Sequence, residues 1–180
     1  QLECLGPPDV STGALDGSWR LAFATCPAYR SSPFFWAYGQ LAEVLKEPIF
    51  SVTDGLPFYR VGVARQTLTG TASSGTLVSA IELTVFVFDA LLPPLRGIVT
   101  TTANVRPDDA DPSSLILEVQ TTEVKESDLP FTENIVFPSS EVLEGLKAGS
   151  TTVKLSTSYL SSDMRISRSP DGDVFVYVRE

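Results

Sequence analysis

Short runs of alternating apolar and polar residues, each closed by Gly, Pro, Asp or Ser, dominate the chain and predict a succession of β-strands. The clearest lies near the end. Tyr159 to Arg179 reads as two strands joined by a tight turn, in which Pro170 fixes φ, Asp171 favours the turn and Gly172 supplies a positive φ. Beyond the turn, Val174, Val176 and Val178 share one face and Phe175, Tyr177 and Arg179 the other. A strand with apolar residues on both faces is ill suited to a free edge, so it is expected to pair inside a sheet or barrel.

Gly17 to Thr25 predicts the first strand, with Trp19, Leu21 and Phe23 on one face and Arg20, Ala22 and Ala24 on the other. Ser31 or Ser32 can cap a helix that has Pro33 at its first position. Phe34, Phe35, Tyr38, Leu41, Ala42 and Leu45 then recur at helical spacing until Pro48, and this helix is expected to plug or lid one end of the strands. Ile49 to Val52, Phe58 to Leu68, Gly75 to Phe88 and Gly97 to Arg106 are further strand candidates. In the third of these, Ile81, Leu83, Val85 and Val87 line one face and Thr84, Phe86 and Phe88 the other.

Arg106 to Ser114 reads as an acidic surface loop, without the spacing of a calcium-binding loop. Leu115 to Val124 alternates cleanly, as does Thr151 to Leu160, where Val153, Leu155, Thr157 and Tyr159 oppose Lys154, Ser156 and Ser158. Such alternation is what a barrel wall with one wet side produces. A short helix capped by Ser139 or Ser140 and ended by Gly149 stands between these two strands. Residues 1–14, rich in Pro and Gly, read as a tail, and residues 15–180 as one domain. The expected fold is mainly β: a single antiparallel β-barrel with one or two short helices.

Composition narrows the function. With 22 Asp and Glu against 13 Lys and Arg, the net charge of −9 argues against a nucleic-acid partner and against electrostatic docking on an anionic membrane. No apolar run reaches the roughly 18 residues needed to cross a bilayer as a helix. The chain starts at Gln1 without a charged or Arg/Ser-rich leader, so a targeting peptide is expected to be absent from it. The two cysteines, Cys4 and Cys26, read as two thiols, with a bridge from the tail to the end of the first strand as the alternative.

The absence of histidine excludes Ser-His-Asp and Cys-His catalysis and any histidine metal site. No nucleophile elbow, phosphate-binding loop, dinucleotide fingerprint or CxxC pair occurs. Asp and Glu are plentiful, but most sit in turns or on polar strand faces, where solvation accounts for them. The expectation is therefore a protein that is not an enzyme, with no catalytic residues, no metal and no required cofactor.

Two motifs carry a resemblance. Leu15-Asp-Gly17-Ser-Trp19-Arg-Leu-Ala-Phe-Ala-Thr25 is similar to the opening strand of the plastid lipid-associated proteins, or plastid fibrillins. Tyr159-Leu, then Asp163-Met-Arg165-Ile-Ser-Arg168, a Gly-containing turn and Phe175-Val-Tyr177-Val-Arg179 is similar to that family's C-terminal signature. Between Pro27 and Val153 only the general run of strands agrees, and Ser169-Pro170 stands where the family more often has Gly. The resemblance implies a lipocalin-like barrel in plastids, peripheral to the thylakoid membrane or to plastoglobules, that binds or organises hydrophobic molecules without catalysis.

Gly17, Trp19 and one of the arginines Arg165, Arg168 and Arg179 also resemble the lipocalin device in which an N-terminal Trp closes the barrel base beneath a C-terminal Arg. A guanidinium there stacks on indole and satisfies backbone carbonyls, with Arg179 assigned to closure. Interior and mouth candidates are Val85, Phe86, Phe88, Ile98, Leu117, Leu155, Tyr159 and Tyr177, suited to a carotenoid, quinone, prenyl or acyl tail, with Arg165 or Arg168 meeting a polar head group at the mouth. The rival reading is an assembly subunit on a photosynthetic membrane complex, docked through exposed Phe34, Phe35 and Trp36 or through Leu91, Leu92 and Leu95.

Overall fold

A computed structural model describes residues 8–10, 13–41, 59–85, 94–128 and 136–180. Among the described residues nine antiparallel strands follow one another: β1 Gly17–Ala24, β2 Tyr59–Thr69, β3 Gly75–Val85, β4 Leu95–Asp108, β5 Asp111–Lys125, β6 Val136–Phe137, β7 Thr152–Leu160, β8 Met164–Arg168 and β9 Val174–Arg179. Their order is β4-β3-β2-β1-β9-β8-β7-β5-β6, and β4 also pairs with β5. Eight strands thus form a closed ring, with β6 as a flap on β5. Closure gives every strand of the ring a neighbour on both sides, which answers the exposure problem of the two-faced strand β9.

Alternation sets the inner face. Trp19, Leu68, Leu77, Ala103, Val105, Leu115, Leu117, Val119, Val153, Leu155, Phe175 and Tyr177 are buried in one cluster. Each Leu so buried contributes about 1.5–3 kcal/mol relative to exposure. The plug is a 3-10 turn, Ala28–Ser31, followed by helix α1, Pro33–Gly39. Its buried face carries Trp36 and Ala37, and the Trp36 ring lies 5.8 Å from that of Phe175. Ala42 and Leu45, expected in the same helix, lie outside the described residues, as does the strand expected over 49–52. Helix α2, Ser139–Leu146, covers β5 through Leu143.

The serines expected to cap these helices act elsewhere. Ser32 occupies the N-cap of α1, yet its hydroxyl makes no capping bond and lies 3.0 Å from Thr101 Oγ1. Ser139 begins α2 behind Pro138 and bonds Thr122 Oγ1 at 2.9 Å. Thr101 and Thr122 are cross-strand partners 3.2 Å apart, so one hydroxyl chain ties both helices to the wall.

Register shifts between paired strands re-phase the alternation. In β1 the register shifts between Leu21 and Phe23, so Phe23 faces solvent at 58% exposure instead of sharing the inner face with Trp19 and Leu21. In β7 it shifts between Thr157 and Tyr159, so Tyr159 pairs with Ile166 on the outer face and Leu160, opposite Arg165, packs on the core. In β5 Gln120 is the extra residue between the partners of Thr102 and Ala103. Phe23, Val176, Ile166 and Tyr159 consequently follow one another across β1, β9, β8 and β7 on the outer wall.

The acidic hairpin between β4 and β5 grips Lys154, whose Nζ lies 2.9 Å from both Asp108 and Asp111. The Ser113 and Ser114 hydroxyls and Lys154 donate to Asp111 and hold its carboxyl well below the ordinary 3.8. A depressed carboxylate adds stability that is complete above its unfolded pKa and is lost as pH falls through the folded value. Asp111→Asn should therefore lower the melting temperature at about pH 7, with the gap to wild type closing as thermal scans descend toward about pH 2. A gap independent of pH would contradict this.

Candidate functional site

The ends of the chain meet at Trp19. Its neighbours in the sheet are Gln66 on β2 and Arg179 on β9. The ring is fully buried and donates Nε1–H to the Leu15 carbonyl at 2.8 Å. The Arg179 guanidinium lies 4.2 Å from the ring centroid and donates to the carbonyls of Ser162, Asp16 and Ala14 at 2.6, 2.7 and 3.1 Å. One side chain thus stacks on the indole and satisfies three carbonyls where the strands converge.

Gly17 makes room for this arrangement. Its φ is +132°, and a β-carbon there would run into Arg179 Nη1. Gly17→Ala should lower the unfolding free energy by about 1–3 kcal/mol in urea denaturation, and a loss near zero would remove Gly17 from the closure. Asp16 secures the neighbouring turn, accepting from the Gly70 and Thr71 amides at 3.0 and 2.9 Å and from the Thr71 hydroxyl at 2.6 Å. Burial pushes its carboxyl up, but these three donors together outweigh it and leave the pKa lowered.

Further inside stands a second arginine. Arg165 on β8 is fully buried, with its guanidinium 4.2 Å from the Tyr177 ring centroid and 5.2 Å from that of Trp19. Nη2 donates to Gln66 Oε1 at 2.6 Å, and Gln66 Nε2 donates to the Ser31 carbonyl at 2.8 Å, joining wall to plug. Nε and Nη1 have no hydrogen-bond partner. The Ser31, Ser79, Thr157, Ser167 and Tyr177 hydroxyls are also buried without one. Ser79 is the cross-strand neighbour of Gln66, Thr157 of Ser167, and Tyr177 of Arg165.

Burial pulls the Arg165 pKa down to about 10 and pushes that of Tyr177 up to about 12. At neutral pH the arginine is a cation and the phenol is neutral. None of the ion pairs among the described residues involves Arg165, and an uncompensated buried charge costs several kcal/mol, of which cation–π contact returns about 2. The cluster can bind and orient an anion; it contains no pair of groups arranged as nucleophile and base.

The other expected site residues divide. Leu117 and Leu155 line the interior at 0 and 1% exposure, and Tyr177 faces inward beside Arg165. Arg165 is not at a mouth but enclosed, because β8 places it opposite Tyr177 on the inner face. Arg168, half-buried at the end of β8 opposite Val174 and Ser156, lies on the other face. Ile98 pairs with Glu82 and Lys125 and lines an outer cleft with Glu82, because Val99, Thr101, Ala103 and Val105 take the inward positions of β4. Tyr159 is turned outward by the β7 bulge.

Trp36 is not an exposed docking residue. It is 4% exposed inside the barrel end and donates Nε1–H to the Arg30 carbonyl at 2.5 Å. Phe34 and Phe35 are half-buried: Phe34 stacks on Tyr38 at 5.9 Å, and Phe35 meets Tyr29 edge-on at 4.8 Å. Leu95 is half-buried opposite Val85, which ends β3. Phe86, Phe88, Leu91 and Leu92 lie outside the described residues, and so does Cys4, hence the question of a bridge. Gln66 and the buried hydroxyls were not foreseen. The one sign of them was a Gln at an inward position of Ala64-Arg-Gln66-Thr-Leu68.

Comparison with curated proteins and with solved structures returns no match. The profile of the PAP_fibrillin family matches residues 1–178, almost the whole chain, including β1 and β9 as far as Val178. This protein therefore belongs to the PAP_fibrillin family, the plastid lipid-associated proteins.

Proposed function

We propose that the chain is a non-catalytic, lipocalin-like barrel that binds or organises prenyl lipids, carotenoids or acyl lipids in the plastid, at the surface of thylakoids or plastoglobules. The observation that carries this reading is the closed wall whose inner face presents Leu68, Leu77, Leu117 and Leu155 with no catalytic constellation beside them. Membership of a lipid-associated family supports it. An assembly role on a photosynthetic membrane complex is the second reading. What favours it is the exposed apolar surface of Val136, Phe137, Val142 and Leu146 along β6 and α2, more than α1, whose Trp36 packs inward and whose Phe34 and Phe35 are half-buried.

Organic extraction of natively purified protein followed by mass spectrometry separates the two. Stoichiometric prenyl, carotenoid or acyl lipid is the expected result. Clean extracts with co-purifying membrane subunits would overturn the carrier reading in favour of the assembly role.

A further inference from the structure

We infer that the buried cluster around Arg165 receives the carboxylate head of a single-chain amphiphile whose tail lies in the cleft where β1 parts from β2; this rests on the carrier reading and specifies its ligand. Three observations converge. Arg165 is enclosed, and two of its guanidinium nitrogens, Nε and Nη1, have no partner. The unpartnered donors beside it come from register neighbours: Tyr177 faces Arg165 on β9, and Ser79 faces Gln66, which already holds the third guanidinium nitrogen. Of the many carboxylates in a chain of charge −9, none among the described residues forms an ion pair with this cation.

The unused Nε and Nη1 lie on different edges of the guanidinium, and either can donate a charge-assisted hydrogen bond to a carboxylate oxygen. The wall beside it opens. β1 pairs with β2 only from Gly17 to Arg20. Beyond that pairing, a cleft of about 210 Å³ is lined by Leu21, Phe23, Gly62 and Ala64 among others. Leu21 is the cross-strand neighbour of Tyr177, which stacks on Arg165. The apolar side chains of Leu21, Phe23 and Ala64 on this approach give an alkyl chain something to pack against, which a free inorganic anion cannot use.

The test is fluorescence titration of the full chain with cis-parinaric acid and with its methyl ester at neutral pH. The acid should bind about ten-fold or more tightly than the ester, since only the acid supplies a charged hydrogen-bond partner for the cation. Arg165→Met should bring the acid to the affinity of the ester while leaving the ester unchanged. Gln66→Glu, which supplies an internal counter-ion at the same place, should do the same and serves if the Met variant does not fold. Sodium acetate and inorganic phosphate should displace none of the bound acid.

Equal affinity of wild type for acid and ester would overturn the inference while leaving the carrier reading standing. Retention of the acid preference in both variants would do so too, and displacement by acetate or phosphate would overturn the amphiphile in favour of a free anion. Failure of both acid and ester to bind would overturn the carrier reading and this inference together.

Discussion

Replacing Trp19 by Ala should lower the unfolding free energy by about 3–5 kcal/mol, the largest loss expected of any single truncation in this chain. The side chain is fully buried, it holds the Leu15 carbonyl, and Arg179 rests on its face. Truncation removes a large apolar volume, strands a carbonyl and takes away the surface that positions a guanidinium serving three others. Trp19→Phe keeps an aromatic face but loses the indole donor, so its loss should be smaller, about 1–2 kcal/mol. Guanidinium denaturation with a common slope measures both. A loss below about 1 kcal/mol for Trp19→Ala would show that the meeting of β1 and β9 is not where the ring is secured.

The second large effect has the opposite sign. Arg165→Met should raise the unfolding free energy by about 1–3 kcal/mol, because it replaces a buried, uncompensated cation by an apolar side chain of similar length. Gln66→Leu should lower it by about 2–3 kcal/mol, because it leaves the cation in place and removes its one hydrogen-bonded neighbour. The pair is diagnostic. A structural arginine would lose stability on truncation, whereas one kept for a ligand is a weakness in the unliganded barrel that its removal relieves. Destabilisation by Arg165→Met would contradict this account of the interior.

Much of the architecture was legible from period alone. The face assignment of β9 and the inward Val153, Leu155 and Thr157 follow from a strict period of two that tertiary packing had no reason to override. The bulges were not legible, since an extra Ala22 or Ser158 leaves a pattern that still looks alternating while every residue beyond it changes sides. That is why Phe23 and Tyr159 stand outside. Ile98 escaped for a related reason: in Ile98-Val-Thr-Thr-Thr102 both phases carry an apolar residue and a threonine, and only the pairing with β3 chooses between them.

The site was legible only as chemistry without position. An arginine near a C-terminal Tyr suggests a head-group contact, yet whether it points to a mouth or into a core depends on ring closure, a contact between residues more than 150 positions apart. Gln66 and the hydroxyls Ser79, Thr157 and Ser167 look in sequence like ordinary polar strand positions. Their burial comes from the curvature of the wall and from the plug, neither of which local pattern encodes. Trp36 shows the converse, a residue whose aromatic character suggested a surface for partners and whose helix turns it into the barrel end.

The pairing of β1 with β9 also sets an order of events for a chain made from its N-terminus. Gly17 to Arg20 can find β2 early, but the other side of β1 has no mate until residues 174–179 leave the ribosome. Until then the nascent chain carries two unsatisfied strand flanks, and the slow, non-local search that joins them comes last. A stop codon directly after Arg168 would remove Phe175, Tyr177 and Arg179 together, and the product should be captured by chaperones or aggregate instead of accumulating as a barrel without β9.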